Sequence, residues 1–336
     1  MRILSRYNNE IEIAVRQAVG ENMDKVFQIV RYQLGWVDEH GNSSTGFRGK
    51  GLRPTLCLQA CAVEFGDHKP ALPAAASIEL LHNFTLIHDD VMDRDATRRN
   101  RSTVWSIWGD SAAINAGDLM YALAISAMAN VVPDQPSRAL QATSKLLDAC
   151  VDVILGQQLD LDFESRDDVS VAEYENMAEL KTAALIATSL EIGATIGGAS
   201  DKTARLYGCL GRSMGLIFQM RDDYLSIWGD AEDMGKSTGV DIRRKKKSLP
   251  IIMLFNRARE NDYNYLLDLY GGRELDDSDV LFVMKLLEDY EVRHELEGRI
   301  ITKSEEALEL LLSLNPDASW MADIQDMIRF IGVRGA

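Results

Sequence analysis

Residues 78–103 read IELLHNFTLIHDDVMDRDATRRNRST. Ile78, Leu80, Leu81, Phe84, Leu86 and Ile87 form an apolar run that continues without a breaker into Asp89-Asp90-Val91-Met92-Asp93. Its length and spacing predict a buried helix rather than a strand. On a helix Asp89 and Asp93 stand at i and i+4, so both carboxylates leave one face about 6 Å apart. Like charges held together at the end of an apolar helix repel and lose solvation, which a hard cation relieves; carboxylate oxygens are what Mg²⁺ takes. Arg98, Arg99 and Arg101 follow at once, and guanidinium forks suit phosphate oxygens. Carboxylates for a metal followed by arginines for an anion read as a metal-diphosphate site.

The pattern recurs. Gly215-Leu216-Ile217-Phe218-Gln219-Met220 leads into Arg221-Asp222-Asp223, and a lysine-rich loop follows. A single DDxxD fits a solvated helix end as well; two apolar helices ending in aspartates favour a shared metal cluster.

Composition sets the bounds. The chain has 336 residues, 46% of them hydrophobic, enough for a sizeable core, and no Pro/Gly/Ser-rich linker divides it, so residues 1–336 read as one domain. A formal net charge of −16 argues against nucleic acid as a partner. Cys57, Cys61, Cys150 and Cys209 lack metal-ligand spacing and sit in apolar helical patterns, which predicts buried free thiols in a reducing compartment. The N-terminus lacks the apolar core of a signal peptide, and the most apolar long window, Ala183 to Ala199, carries Glu191 and is too short to span a bilayer. A cytoplasmic protein without a transmembrane segment is expected.

Helical periodicity dominates, and no strand alternation or Asn-Gly or Asp-Gly hairpin turn stands out. Helices are expected within 6–36 and over about 54–65, 74–93 (after a connection over 66–73), 111–130, 138–163, 171–197 and 202–227. Shorter helices from 249 to 333 break at Gly271-Gly272, Asp276 and Pro316. Residues 94–101 read as an exposed basic loop and 228–247 as a polar loop.

Smaller motifs add to the two aspartate stretches. Gly49-Lys50-Gly51-Leu52-Arg53-Pro54 places Lys50 and Arg53 three apart on a turn entering a helix, within reach of one anion. His82 lies two helical turns before Asp89 on the same face; a lone histidine there is most often a core residue. Gly156-Gln157-Gln158-Leu159-Asp160 puts polar groups into an apolar helix, Lys181-Thr182 interrupts a helix rich in Ala, Leu and Ile, and Gly235-Lys236 and Lys246 lie in GKSTGVDIRRKKKSLP.

In this order, from Gly49 to Pro250, the motifs resemble the trans-polyprenyl diphosphate synthase family, the head-to-tail isoprenoid chain elongators. The resemblance implies an all-α isoprenoid synthase helical bundle with a central cavity between two aspartate-bearing helices, and a homodimer. It implies Mg²⁺, three ions per site, on Asp89, Asp93 and Asp222 with Asp223 in support. Lys50, Arg53, His82 and Arg99 would hold isopentenyl diphosphate; Arg98, Lys181, Lys236 and Lys246 would contact the allylic diphosphate. Thr182 and Gln219 would turn uncharged dipoles to the developing carbocation, which a carboxylate there would trap. Gly117-Asp118 resembles the family's GD between helices. Gly51 replaces the commoner arginine of the first motif, and Ser226 replaces the last aspartate of the second DDxxD.

The reaction implied is ionisation of an allylic diphosphate (dimethylallyl, geranyl or farnesyl), condensation with isopentenyl diphosphate and loss of a proton. Phe84, about 7.5 Å down the helix from Asp89, matches an aromatic that limits the tail pocket in the family. With small Thr85 beside it, the pattern is most similar to geranylgeranyl (C20) synthases, with farnesyl (C15) next. Two rivals are a class I terpene cyclase, because Asp222, Ser226 and Asp230 repeat its metal-triad spacing, and a non-catalytic subunit of a synthase. A cyclase needs no second diphosphate site, and non-catalytic partners lose aspartates that this chain keeps.

Overall fold

The computed structural model describes residues 2–44, 49, 51–132, 134–229, 239–272, 274–314 and 318–333. The structure is 79% helical and 2% strand, as the periodicity predicts. They divide into two compact units: Met1–Cys150 with Thr188–Gly208, and Val151–Ala187 with Cys209–Ala336. Among the described residues no helix is long and apolar enough to cross a membrane.

In the first unit the helix Leu72–Met92 is the organising element. It starts with Pro73 in its first turn, where the missing N–H costs nothing, and Asp93 caps its end. Ala74, Ala75, Ile78, Leu80, Leu81 and Ile87 are all buried, so it is apolar on more than one face and is covered accordingly. It packs most extensively on Asp110–Met128, then on Asn8–Val19 and Leu52–Phe65. Ser77 Oγ donates to the Ala124 carbonyl at 2.6 Å across the first of these contacts. Leu52–Phe65 starts behind Gly51, whose φ of +59° is the left-handed conformation glycine adopts at least cost.

The second unit is built around an irregular helix. Ser170 and Glu173 form a reciprocal capping box at the start of Val171–Ala178. The chain then widens into a π-turn over Glu179–Ala183 before resuming as Ala184–Gly197. Such turns are rare and concentrate at functional sites; this one carries Lys181 and Thr182. Glycines let neighbouring helices reach its backbone. A Cβ on Gly156 would lie 2.3 Å from Lys181 N, and one on Gly215 2.4 Å from Ala183 Cα. The buried helix Leu249–Arg257 packs on Val171–Ala178, Asp277–Asp289 and Val292–Ser313.

Four local expectations are corrected. Residues 97–102 are not a bare loop: Thr97 pairs with Ser102 and Arg98 with Arg101 in a two-residue antiparallel ladder. Gly117-Asp118 does not separate two helices but lies inside Asp110–Met128. Its glycine is required by His88, whose Nε2 a Cβ would meet at 2.3 Å. Cys57, Cys61 and Cys150 are buried free thiols, but Cys209 is exposed. The stretch read as a polar loop holds a short helix, Val240–Arg243, while 230–238 lie outside the described residues.

The close packing of Gly215 against Ala183 makes it intolerant of a methyl group. Gly215→Ala should cost about 1–3 kcal/mol. Gly298 lies exposed inside Val292–Ser313 with nothing within 4 Å of a Cβ, so Gly298→Ala should gain about 0.5–1 kcal/mol. Urea unfolding of the two variants beside the parent checks both signs.

Candidate active site

Three aspartates crowd the end of Leu72–Met92, and the helix separates them. Asp89 is half-buried, Asp93 is exposed, and both lie on one face. Asp90, a hundred degrees round, turns inward with its side chain 3% exposed and accepts from Arg98 Nε at 2.6 Å. Burial raises the Asp90 carboxyl more than Arg98 lowers it, so it sits above the usual carboxylate range. Arg98, though burial works against its charge, gains more from Asp90, Asp89 and Asp95 and is held above its ordinary value.

The hairpin sorts the three arginines. Arg99 and Asn100 have φ of +52° and +59°, the pair of left-handed residues that a type I′ turn requires. That turn sends Arg98 to Asp90. Arg101 lies over the Tyr32 ring at 4.2 Å and donates to the carbonyls of Tyr32 (3.3 Å) and Val37 (3.2 Å). It fastens the hairpin to the helix Lys25–Gln33 rather than facing an anion. Arg99 reaches Gly49, where a Cβ would stand 3.0 Å from its Nη1.

Arg99 thereby joins a second cationic group. Arg53 Nη1 lies 3.2 Å from His82 Nε2; the guanidinium can only donate, so that imidazole nitrogen accepts and the ring is neutral. Burial, then the charges of Arg53, Arg99 and Arg98, push His82 well below the usual histidine range. Burial lowers Arg53 to about 10, with Glu79 opposing and Arg99 reinforcing the fall. The buried Nε of Arg53 has no partner. Glu79, three residues before His82, balances both arginines and accepts from Asn83 Nδ2 at 3.2 Å. Sequence reasoning missed it, although a carboxylate inside the apolar run Ile78–Leu81 was the available signal. Arg99, Glu79, Asn83, Gly49 and Gly51 line a cleft of about 60 Å³. Lys50 lies outside the described residues.

Phe84, 9% exposed, stacks edge-on with His88 at 4.8 Å and tilted on Tyr121 at 5.5 Å. Thr85 Oγ1 donates to the His82 carbonyl at 2.8 Å.

In the second unit the π-turn presents Lys181 and Thr182 together. Lys181 Nζ donates to Asp160 of the Gly156–Asp160 motif. Burial raises the Asp160 carboxyl, but Lys181 and Lys246 outweigh it and hold it below its usual range. Thr182 Oγ1 donates to Gln219 Oε1 at 2.7 Å, and Gln219 Nε2 to Asp223 Oδ1 at 2.8 Å. Asp222 and Asp223 part company: Asp222 is exposed, whereas Asp223 is buried and accepts also from the Tyr174 hydroxyl and, at 2.8 Å, from Leu249 N. Burial and the charge of Asp241 push Asp223 up to about 7.

Ser226 Oγ lies 2.6 Å from Asp241 Oδ2, so a carboxylate from the short helix Val240–Arg243 approaches the position where the second motif lacks its last aspartate. Lys246 reaches solvent; the surrounding protein disfavours its charge, but Asp160, Asp241, Asp223 and Asp222 together raise it above an ordinary lysine. Its neighbour Lys247 is buried against Asp167 at 2.6 Å and the rings of Phe255 and Tyr270. Lys236 lies outside the described residues.

Known proteins resemble this chain in sequence and in fold. The family model described as polyprenyl synthetase matches residues 35–287. A (2E,6E)-farnesyl diphosphate synthase from Mycobacterium tuberculosis is 37% identical over 92% of this chain and 86% of its own. A geranylgeranyl diphosphate synthase from the same organism is also 37% identical, over 77% of this chain and 73% of its own. A solved polyprenyl synthetase from Streptomyces coelicolor A3(2) superposes with a TM-score of 0.89 at 32% identity, covering 98% of each chain. The chain belongs to the polyprenyl synthetase family and has the all-α fold of isoprenoid synthases.

The donors suit a hard cation. Among the described residues no three His, Cys, Asp or Glu side chains stand close enough to cage a metal by themselves. Asp89 and Asp93 offer carboxylate oxygens only, half-buried and exposed. Mg²⁺ is usually held in this way, by one or two carboxylates, water and the phosphates of a substrate.

His82 gives a pH test. The unfolded histidine titrates near 6.5, while the native ring stays neutral well below that. Below about pH 6.5 the unfolded chain therefore binds a proton that the native one refuses, and native stability falls. Urea unfolding at pH 7, 6 and 5 should show the parent losing ground to His82→Gln as the pH drops; a constant gap would contradict the neutral, arginine-bound ring.

Proposed function

We propose that this chain is a head-to-tail trans-prenyltransferase that condenses isopentenyl diphosphate with dimethylallyl, geranyl or farnesyl diphosphate. The observation that carries the reading is the cluster Arg53–His82–Arg99, set on the same helix system as Asp89 and Asp93. One group binds a diphosphate by its own charge, and the other needs a cation first. Two diphosphate sites of opposite sign are what a two-substrate condensation requires.

Arg53, His82 and Arg99, with Lys50, hold isopentenyl diphosphate so that its double bond faces the allylic carbon; orientation of this kind removes much of the barrier. Asp89 and Asp93, and Asp222 of the second unit, would hold Mg²⁺, which would supply positive charge against the departing diphosphate. Lys181, kept in place by Asp160, adds a cationic contact to that diphosphate, with Arg98, Lys236 and Lys246. The allylic C–O bond breaks with its electron pair leaving on the diphosphate. The double bond of isopentenyl diphosphate then attacks the allylic carbon, and the proton lost from the new unit passes to the released diphosphate. The oxygen ends of Thr182 and Gln219 stabilise the cation without capturing it.

Geranylgeranyl diphosphate (C20) is the proposed product and farnesyl diphosphate the next, on the strength of Phe84 lying one to two turns below Asp89 against His88 and Tyr121. The synthase reading extends to 1–336 as a single domain and to a cytoplasmic enzyme, which rest on the composition and linker-free sequence, and to a homodimer, which rests on the family resemblance.

Incubation of the purified protein with Mg²⁺, isopentenyl diphosphate and each allylic diphosphate, followed by chromatography, tests the proposal. Chain-lengthened diphosphates are the expected products, ending at C20. Phe84→Ala should lengthen the longest abundant product by at least one C5 unit. A hydrocarbon or alcohol formed from an allylic diphosphate alone would mean a cyclase instead.

A further inference from the structure

Gln219 can place either its carbonyl or its amide nitrogen toward Thr182, and the two choices present opposite polarity. Three donors around Asp223 decide between them. Leu249 N–H donates to Asp223 Oδ2 at 2.8 Å, and the Tyr174 hydroxyl donates to the same oxygen. Oδ1 is left to Gln219, whose Nε2 donates to it at 2.8 Å. An ionised Asp223 accepts and does not donate, so against it Gln219 turns its nitrogen to Asp223 and its Oε1 to Thr182. Thr182 Oγ1 then spends its proton on that Oε1 at 2.7 Å and has only lone pairs to offer any other neighbour. Tyr174 and Asp223 are both buried, and Leu249 N belongs to a buried helix start, so the arrangement is held on all sides.

We propose that Tyr174, Asp223 and the Leu249 amide form a polarity lock that fixes Gln219 and Thr182 with their oxygens toward the reacting carbon. Tyr174 and Asp223 are then positioning residues, and Asp223 acts through Gln219 rather than on the metal. The inference rests on the prenyltransferase reading for its functional consequence, though the lock itself is a matter of hydrogen bonding. It also predicts what a neutral isostere does. In Asp223→Asn the fixed Leu249 N–H still demands an acceptor, so the new amide nitrogen faces Gln219. Gln219 must then flip, turning N–H groups toward Thr182 and reversing the polarity.

The test is a double-mutant cycle of Asp223→Asn and Gln219→Ala, with kcat, KM for both diphosphates and the Mg²⁺ requirement measured for each. Misdirected preorganised dipoles cost on the order of a hundredfold in kcat. Asp223→Asn should lose roughly that much, with KM values within about threefold and the Mg²⁺ requirement unchanged. In the Gln219→Ala background it should lose less than about twofold more, because groups acting as one unit are not additive. A full additional loss in that background, or a raised Mg²⁺ requirement, overturns the proposal. If Asp223→Asn fails to fold, Tyr174→Phe takes its place in the cycle with a smaller loss and the same non-additivity. A parent protein without elongation activity would defeat the functional reading; the lock is then decided by urea unfolding, where additive effects of Tyr174→Phe and Gln219→Ala would overturn it.

Discussion

The ion pair between Asp90 and Arg98 is the contact on which the first aspartate motif depends. A carboxylate with 3% of its side chain exposed is tolerable only with a partner. Arg98 is that partner because a type I′ turn aims it back at the helix. Removing one member of a buried pair costs about 3–5 kcal/mol, and here it would also release the hairpin that carries Arg99. One pair thus fixes the helix end, sets the course of residues 97–102 and leaves Asp89 and Asp93 together on the adjacent face. Arg101, clamped on Tyr32 and Val37, holds the other strand of the hairpin.

Along one helix the electrical character reverses within two turns. Asp89 and Asp93 make the C-terminal end anionic, while Arg53 and Arg99, gathered round the neutral His82, make the surroundings of the preceding turns cationic. Glu79 keeps the arginines from repelling each other outright, and the neutral His82 serves the same end by accepting from Arg53. The second unit uses similar means: Lys181 with Asp160, and Lys246 among four carboxylates, keep cations and anions close without collapsing into a neutral, inert surface. The net charge of −16 is therefore a poor guide to the local field where a diphosphate must bind.

Much of this was legible in the sequence, because helical period and aspartate spacing are properties of short stretches. The helix Leu72–Met92, the second aspartate helix Asp201–Trp228 and the facing of Asp89 and Asp93 follow directly from them. What was hidden depends on three-dimensional partners. The turn at Arg99-Asn100 has no glycine to advertise it. The three arginines have the same chemistry in sequence and different roles in space, an ion pair, a cleft and a clamp. Asp222 and Asp223 are adjacent letters that helical rotation sends to solvent and to the core. The π-turn under Lys181 and Thr182 leaves no compositional mark beyond the glycines that pack against it. Lys247, read as part of a solvated basic run, is buried on two aromatic rings because the loop doubles back onto Leu249–Arg257.

The central claim is that the chain holds two diphosphates by opposite means, one on fixed cations and one on carboxylates that require a divalent ion. Isothermal titration of isopentenyl diphosphate and of a non-reactive allylic diphosphate analogue, each with and without Mg²⁺, measures this directly. The account predicts that isopentenyl diphosphate binds without Mg²⁺ and loses about ten- to a hundredfold in affinity in Arg53→Ala, the worth of a charge-assisted hydrogen bond. The allylic analogue should bind only when Mg²⁺ is present. Isopentenyl diphosphate binding that required Mg²⁺, or that was indifferent to Arg53→Ala, would contradict it.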